Sequence, residues 1–118
     1  MSTGGARVRF KVWVEDERGV LLSEWRVDLL AAVEETGSLT RAAEQVDVPY
    51  RTAWERIREM EDALGERLVE TASGGKDGGG SHLTEAGRDL VARFRRMTEG
   101  LDEQIRLRFE ESLRDRLT

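Results

Sequence analysis

The chain has 118 residues and a mass of 13.4 kDa, and 38% of its residues are hydrophobic and 36% charged. This length predicts one small domain. No apolar run approaches the roughly 18 to 20 residues that span a bilayer, so we expect a soluble, cytoplasmic protein with no membrane partner. The absence of cysteine and the single histidine, His82, remove the usual metal ligands. We therefore expect no metal site, no cofactor and no enzymatic activity.

The net charge of −5 comes from 19 basic and 24 acidic residues. At first it argues against a nucleic-acid partner, because contacts with phosphate need clustered cations. The charges are partitioned along the chain, however. Residues 49–58 contain three arginines and one glutamate, and residues 7–11 contain three basic residues and no acid. The negative sum therefore leaves room for a basic face.

The N-terminal third predicts a disordered start followed by a β-hairpin. Residues 1–6 are small and polar, as is typical of a frayed terminus. Over residues 7–14 apolar and polar side chains alternate strictly, which predicts a half-buried strand. A turn at 15–19 and a short strand at 20–22 would complete the hairpin. Because two strands alone are unstable, we expect its apolar face to pack on the rest of the chain.

Capping residues then mark three helices. Ser23 precedes a helix over 24–36, and Ser38 precedes a short helix over 39–46. The third helix begins at Pro49, where the first turn tolerates a missing N–H, and runs to about Leu64. Its apolar residues recur every three or four positions. The sequence therefore predicts a compact group of helices, the third with one polar and basic face.

A glycine-rich loop and a long helix follow. Two short strand-like pieces, 68–71 and 82–83, flank the loop over 72–81, and Thr84 can cap a helix over 84–118. The apolar stripe of that helix persists for almost thirty residues, about 40 Å at 1.5 Å per residue. This is longer than so small a domain covers, so we expect a second copy of the chain to pack on it. The predicted dimerisation residues are Leu90, Phe94, Met97, Leu101 and Ile105.

Together these elements predict a mainly α fold with small β, a winged helix-turn-helix over 7–83 followed by a C-terminal dimerisation helix over 84–118. In that fold the third helix enters the DNA major groove, where arginine pairs with both acceptors of guanine, and Arg51 is the best placed candidate. The wing approaches the phosphate backbone through its glycines and Lys76. The predicted DNA-binding residues are Thr40, Arg41, Pro49, Tyr50, Arg51, Thr52, Glu55 and Arg56 from the helices, with Gly75, Lys76, Gly78 and Gly79 from the wing.

Three segments, 35–43, 49–54 and 68–88, together resemble the N-terminal DNA-binding domain of the molybdate-dependent regulator family ModE. The winged helix of LysR-type regulators is more distantly similar. The resemblance covers about residues 7–107 and implies a homodimer that binds palindromic operator DNA. Two departures are evident: Pro49 stands where relatives usually carry serine, and the C-terminal β-rich modules that bind molybdate in the family are not among these residues. The effector therefore remains unknown.

Two other functions fit the same sequence. The acidic net charge and the amphipathic C-terminal helix also suit a protein-interaction module that pairs with a longer regulator. A one-piece sensor that binds a small anion at the basic strand or at the dimer seam is the second alternative. On the third helix, Arg56 or Arg58 would lie nearer the phosphates than Arg51 does. Arg58, however, has Glu55, Glu59 and Asp62 nearby and is expected rather to pair with acids. Trp54 flanks the apolar stripe and is expected to pack in the core.

Overall fold

The computed structural model describes residues 5–72 and 80–117. Its elements are β1 (Trp13–Asp16), β2 (Gly19–Ser23), α1 (Glu24–Thr36), α2 (Leu39–Gln45), α3 (Tyr50–Leu64), β3 (Val69–Thr71), β4 (Ser81–Leu83), α4 (Glu85–Thr98), α5 (Leu101–Ser112) and a final 3-10 turn (Arg114–Arg116). This order confirms the predicted winged helix-turn-helix with an N-terminal hairpin. No helix within the described ranges has the length and apolarity to cross a bilayer. The first four residues of the predicted disordered start lie outside those ranges.

The core is built around α1. Leu29, Leu30 and Val33 are fully buried there, and they pack with apolar residues of α2, α3, α4 and the two hairpins. Local signals define the ends of α1. The Ser23 hydroxyl accepts the backbone N–H of the third helical residue, and Gly37 ends the helix in the left-handed region with a φ of 70°. The bounds predicted for α1 are therefore confirmed.

The N-terminal hairpin is shorter than predicted. In β1 and β2 the pairing runs from Trp13 opposite Ser23 to Asp16 opposite Gly19, and residues 7–12 belong to no strand. The physical reason is the lack of a partner, because β2 gives way to α1 directly after Ser23. The predicted alternation nevertheless holds over 7–12, where apolar side chains are half-buried and basic ones exposed. The prediction of a strand over residues 7–14 is thus wrong for its first six residues.

The predicted C-terminal helix is present but is interrupted at Glu99 and Gly100. Gly100 adopts a φ of 78°, which separates α4 from α5. Phe109 of α5 is 7% exposed yet lies outside the main core, beneath Arg114, whose guanidinium carbon is 4.8 Å from the ring centre. Arg114 Nη1 also donates to the Ala6 carbonyl at 2.6 Å. Residues 5–12, α5 and the 3-10 turn, which we call the arm, therefore pack on one another, and the molecule measures 62 × 29 × 22 Å.

A close backbone approach joins α4 to the wing. Thr84 caps α4 by accepting the Gly87 N–H at 3.0 Å, and its hydroxyl donates to the Arg67 carbonyl at 2.7 Å. The Thr84 N–H donates to the Leu68 carbonyl at 2.9 Å. A Cβ atom at Gly87 would overlap that carbonyl oxygen and lie 3.2 Å from Cβ of Leu83. Only glycine therefore fits in the first turn of α4.

We expect Gly87→Ala to destabilise the fold. Glycine to alanine in a helix ordinarily stabilises by about 0.4–1 kcal/mol, but here the overlap with a backbone oxygen forces α4 away from β3, at a cost of roughly 1–3 kcal/mol. Urea denaturation measures the difference. Ala92→Gly, at an exposed position of α4, calibrates the propensity term at about 1 kcal/mol. A Gly87→Ala variant more stable than the parent would contradict the proposed overlap.

Candidate nucleic-acid interface

A tight turn presents the N-terminus of α3. After α2, Asp47 takes a left-handed φ of 61°, and the Val48 N–H donates to the Ala43 carbonyl at 3.0 Å. Pro49 then occupies the N-cap position, one residue before the helix. It makes no side-chain cap, but its fixed φ, here −60°, starts the helix with little loss of backbone entropy. Because Pro49, Tyr50 and Arg51 are exposed, the first turn of α3 lies at the molecular surface.

The exposed side of α3 carries four of the residues predicted to contact DNA, Tyr50, Arg51, Thr52 and Glu55. Its opposite face is buried through Ala53, Ile57 and Met60. The Arg51 side chain is 90% exposed, and its Nε lies 3.3 Å from Oε1 of Glu55, which is half-exposed. Five other predicted residues are exposed or half-exposed in α2, in the turn and in the first turn of α3: Thr40, Arg41, Pro49, Tyr50 and Thr52. The structure therefore leaves all of these side chains accessible on α2, on the turn and at the start of α3.

Arg56 is half-buried and takes part in a different set of contacts. Its guanidinium pairs with Glu59, and Glu59 also lies 3.8 Å from Nη2 of Arg26. Arg26 is buried and donates to the carbonyls of Val20 and Leu21 in β2. Burial lowers the pKa of Arg26 from its ordinary value, and the Glu59 carboxylate acts in the opposite direction. Arg56 therefore belongs to a network that ties α3 to the N-terminal hairpin.

Arg58 occupies the outer face and stacks on an aromatic ring. Its guanidinium carbon lies 4.7 Å from the ring centre of Trp54, a cation–π distance. Trp54 is half-buried and also packs against the core. From the sequence, Arg58 is expected to pair with acids rather than with phosphate, so it is absent from the predicted DNA-binding residues. The four-residue spacing of a tryptophan and an arginine on one helix was the signal for this contact.

The wing base is tied to both α3 and α1. Glu61 of α3 is 8% exposed, and its Oε2 accepts the backbone N–H groups of Leu68 at 2.8 Å and Val69 at 3.2 Å. The Ser81 N–H donates to the Gly37 carbonyl at 2.9 Å. In the antiparallel register Val69 faces Leu83 and Thr71 faces Ser81. The predicted contacts at Gly75, Lys76, Gly78 and Gly79 lie outside the described residues.

Comparison with known proteins places this arrangement in a family. A family model described as "Bacterial regulatory helix-turn-helix protein, lysR family" matches residues 26–88, which begin in α1 and end in α4. The chain belongs to the lysR family of bacterial regulatory helix-turn-helix proteins. A regulatory family agrees with the expectation that the chain is not an enzyme. The arm lies outside the matched region.

The chain is also similar to individual relatives and to a solved structure. The chain is 42% identical over 82 residues to the molybdenum transport protein ModE of Azotobacter vinelandii, which covers 70% of the chain and 30% of the relative. It is 38% identical over 100 residues to the molybdenum-pterin-binding protein MopB of Rhodobacter capsulatus, covering 85% and 37%. The crystal structure of a CbnR_DBD–DNA complex is 25% identical with a TM-score of 0.55, covering 67% and 85%. The chain thus spans about a third of these curated relatives.

The residues predicted for dimerisation divide between two surroundings in this lysR-family chain. Phe94 is 5% exposed and lies in the intramolecular core, with Leu90 half-buried beside it. Leu101 and Ile105 are half-buried and share a groove with Phe10 and Val12 of the arm. Met97 is 50% exposed. Most of the surface of Phe94 is therefore used within one chain, and the role of the other four at a dimer interface stays a prediction.

We expect Glu61→Ala to weaken the wing base. The change leaves the Leu68 and Val69 N–H groups buried without an acceptor, at a cost of roughly 1–3 kcal/mol. Urea denaturation measures the loss, and faster hydrogen exchange at these two amides would locate it. Glu61→Gln, which keeps one acceptor oxygen, should lie between. Glu66→Ala, at an exposed position, should stay within about 0.5 kcal/mol of the parent. Equal effects of the Glu61 and Glu66 variants would contradict the anchoring role.

Proposed function

We propose that this chain is the DNA-binding part of a transcription regulator and that it binds a palindromic operator as a homodimer. The main observation in its support is that the first half of α3, which follows the α2–α3 turn, has accessible side chains at Tyr50, Arg51, Thr52 and Glu55. Membership of a regulatory helix-turn-helix family supports the same function. A cytoplasmic location goes with this proposal, because the operator is there.

The dimensions of α3 suit the major groove. A helix with its side chains is about 10–12 Å across, and the groove is about 12 Å wide. In that position Arg51 would pair with guanine, and Glu55 would accept the amino group of cytosine. Their ion pair in the free chain is exposed, and such pairs contribute only about 0–1 kcal/mol. DNA can therefore replace it at little cost.

The elongated shape supports the homodimer. The long axis of 62 Å exceeds the other two by more than twofold. Leu107 of the arm and Leu113, between α5 and the 3-10 turn, have half-exposed apolar side chains. Met97, on α4, is exposed to a similar extent. A second copy that covers these side chains would remove apolar surface from water. A twofold axis near the arm would then set the two α3 helices about 34 Å apart, one turn of DNA.

Only the DNA-binding function is extended to this chain from its relatives. Their names refer to molybdenum transport and molybdenum–pterin binding. The alignments span 30% and 37% of those proteins, so the names do not assign molybdenum binding to the residues aligned here. The effector of this regulator therefore stays open.

Selection of bound sequences from a random DNA pool at physiological salt tests the proposal. We expect enrichment of an inverted repeat whose half-site centres lie about 10 base pairs apart. Size-exclusion chromatography with the enriched duplex should show two chains per duplex. A protein that enriches no sequence, and whose elution is unchanged by duplex even at low salt, would instead be the interaction module considered above.

Substitutions in α3 and in the wing should have different consequences. Arg51→Ala should cost roughly 1–3 kcal/mol of operator affinity and relax sequence preference, because it removes a base contact. Lys76→Ala should lower affinity for all sequences alike and reduce the salt slope by about one unit, because it removes a phosphate contact. Fluorescence anisotropy on operator and unrelated duplexes, titrated with salt, measures both. Wild-type binding by both variants would overturn these two assignments.

A further inference from the structure

The arginines of α3 differ in what surrounds their charge. Arg51 pairs with Glu55, and Arg56 pairs with Glu59. Arg58 lies between them in sequence, and its guanidinium contacts the ring of Trp54. Along the described ranges, no carboxylate lies within ion-pairing distance of Arg58. Of these three cations, Arg58 is the one that keeps an uncompensated charge.

A cation–π contact holds the side chain without cancelling its charge. The electron-rich face of tryptophan attracts the guanidinium, and the N–H donors are not consumed as they are by a carboxylate. Trp54 is itself fixed, because it is half-buried and packs against the core. The rotamer entropy that a free arginine would lose on binding is thus partly lost already in the free protein. Such a group is preorganised for an anion.

We propose that Arg58 is a DNA-phosphate ligand and that Trp54 positions it. The proposal rests on the DNA-binding function proposed above. Arg58 follows Arg51 by seven residues, two helical turns or about 10 Å along the axis. With the first turn of α3 at the base edges, this rise carries Arg58 toward the backbone that borders a groove about 12 Å wide. Its partner is therefore a phosphate oxygen rather than a base edge.

Salt-titrated anisotropy with the full chain and a selected duplex tests the role of Arg58. Arg58→Ala should reduce the slope of log affinity against log salt by about 0.9, the value of one phosphate contact. The loss of affinity should be the same on an unrelated duplex. Arg58→Lys should restore most of the slope. Arg93→Ala removes an exposed arginine from α4 and should leave the slope unchanged, which separates a local contact from a loss of net charge.

The results distinguish failure of the proposed DNA-binding function from failure of the proposed phosphate contact of Arg58. If the parent chain binds no duplex, the proposed function fails. If the parent binds and Arg58→Ala keeps its slope, or if Arg93→Ala loses as much, the phosphate contact of Arg58 is wrong. If Arg58→Ala changes sequence preference with its slope intact, the contact is with a base, which also overturns the proposal.

Double substitutions test the role of Trp54. Trp54→Phe keeps an aromatic face and should bind nearly as the parent does, whereas Trp54→Leu should weaken binding. In an Arg58→Ala background, Trp54→Leu should weaken binding no further, because its effect passes through Arg58. Additive losses would show that Trp54 acts independently of Arg58 and would overturn its positioning role. Thermal melts of each variant establish that it is folded. If the leucine variant unfolds, Trp54→Met, made in the parent and in the Arg58→Ala background, provides the same comparison, because it also removes the aromatic face.

Discussion

The backbone of Leu68 is the point at which α3, the wing and α4 are joined. Its N–H donates to the buried Glu61 carboxylate, and its carbonyl accepts the N–H of Thr84. Leu68 itself is 1% exposed, and the absence of a side chain at Gly87 lets α4 approach it. A carboxylate removed from water is costly unless hydrogen bonds compensate it, and two backbone donors do so here. The separation between the first turn of α3 and the wing base is therefore set by a few short hydrogen bonds.

The sequence predicts best those helix ends that are marked by a local capping residue. The ends of α1 follow from Ser23 and Gly37, whose effects act within four residues of each end. The predicted length of the first strand was wrong because the length of a strand depends on its backbone partner. Alternation over 7–12 correctly separates half-buried from exposed side chains, but it cannot show that β2 stops at Ser23. Side-chain periodicity reports which face is covered, whereas a strand also needs a backbone neighbour.

The interruption between α4 and α5 shows a second limit of periodicity. An apolar stripe continues through Gly100, so spacing alone predicts one helix, and a glycine within a helix costs only about 1 kcal/mol. The apolar residues of α4 and those of α5 pack against different parts of the chain. Phe94 packs in the core, whereas Phe109 is covered by Arg114, which is itself bonded to the carbonyl of Ala6. Residues 5–12, which pack near α5, lie roughly a hundred positions away from it in sequence. No local pattern therefore indicates where the core contacts of α4 end and the contacts of α5 with the start of the chain begin.

The sequence predicts the polar, exposed side of α3 but not the ion pairs on it. Three acids lie within one turn of Arg58, so local spacing favours a paired arginine. In the fold Glu55 pairs with Arg51, and Glu59 is held between Arg56 and the buried Arg26 of α1. Arg26 is fixed by carbonyls of β2, so the N-terminal hairpin helps to hold Glu59 in ion pairs that do not include Arg58. The acids that make the chain negative overall are partly consumed in such pairs, and the net charge of −5 is a poor guide to the outer face of α3.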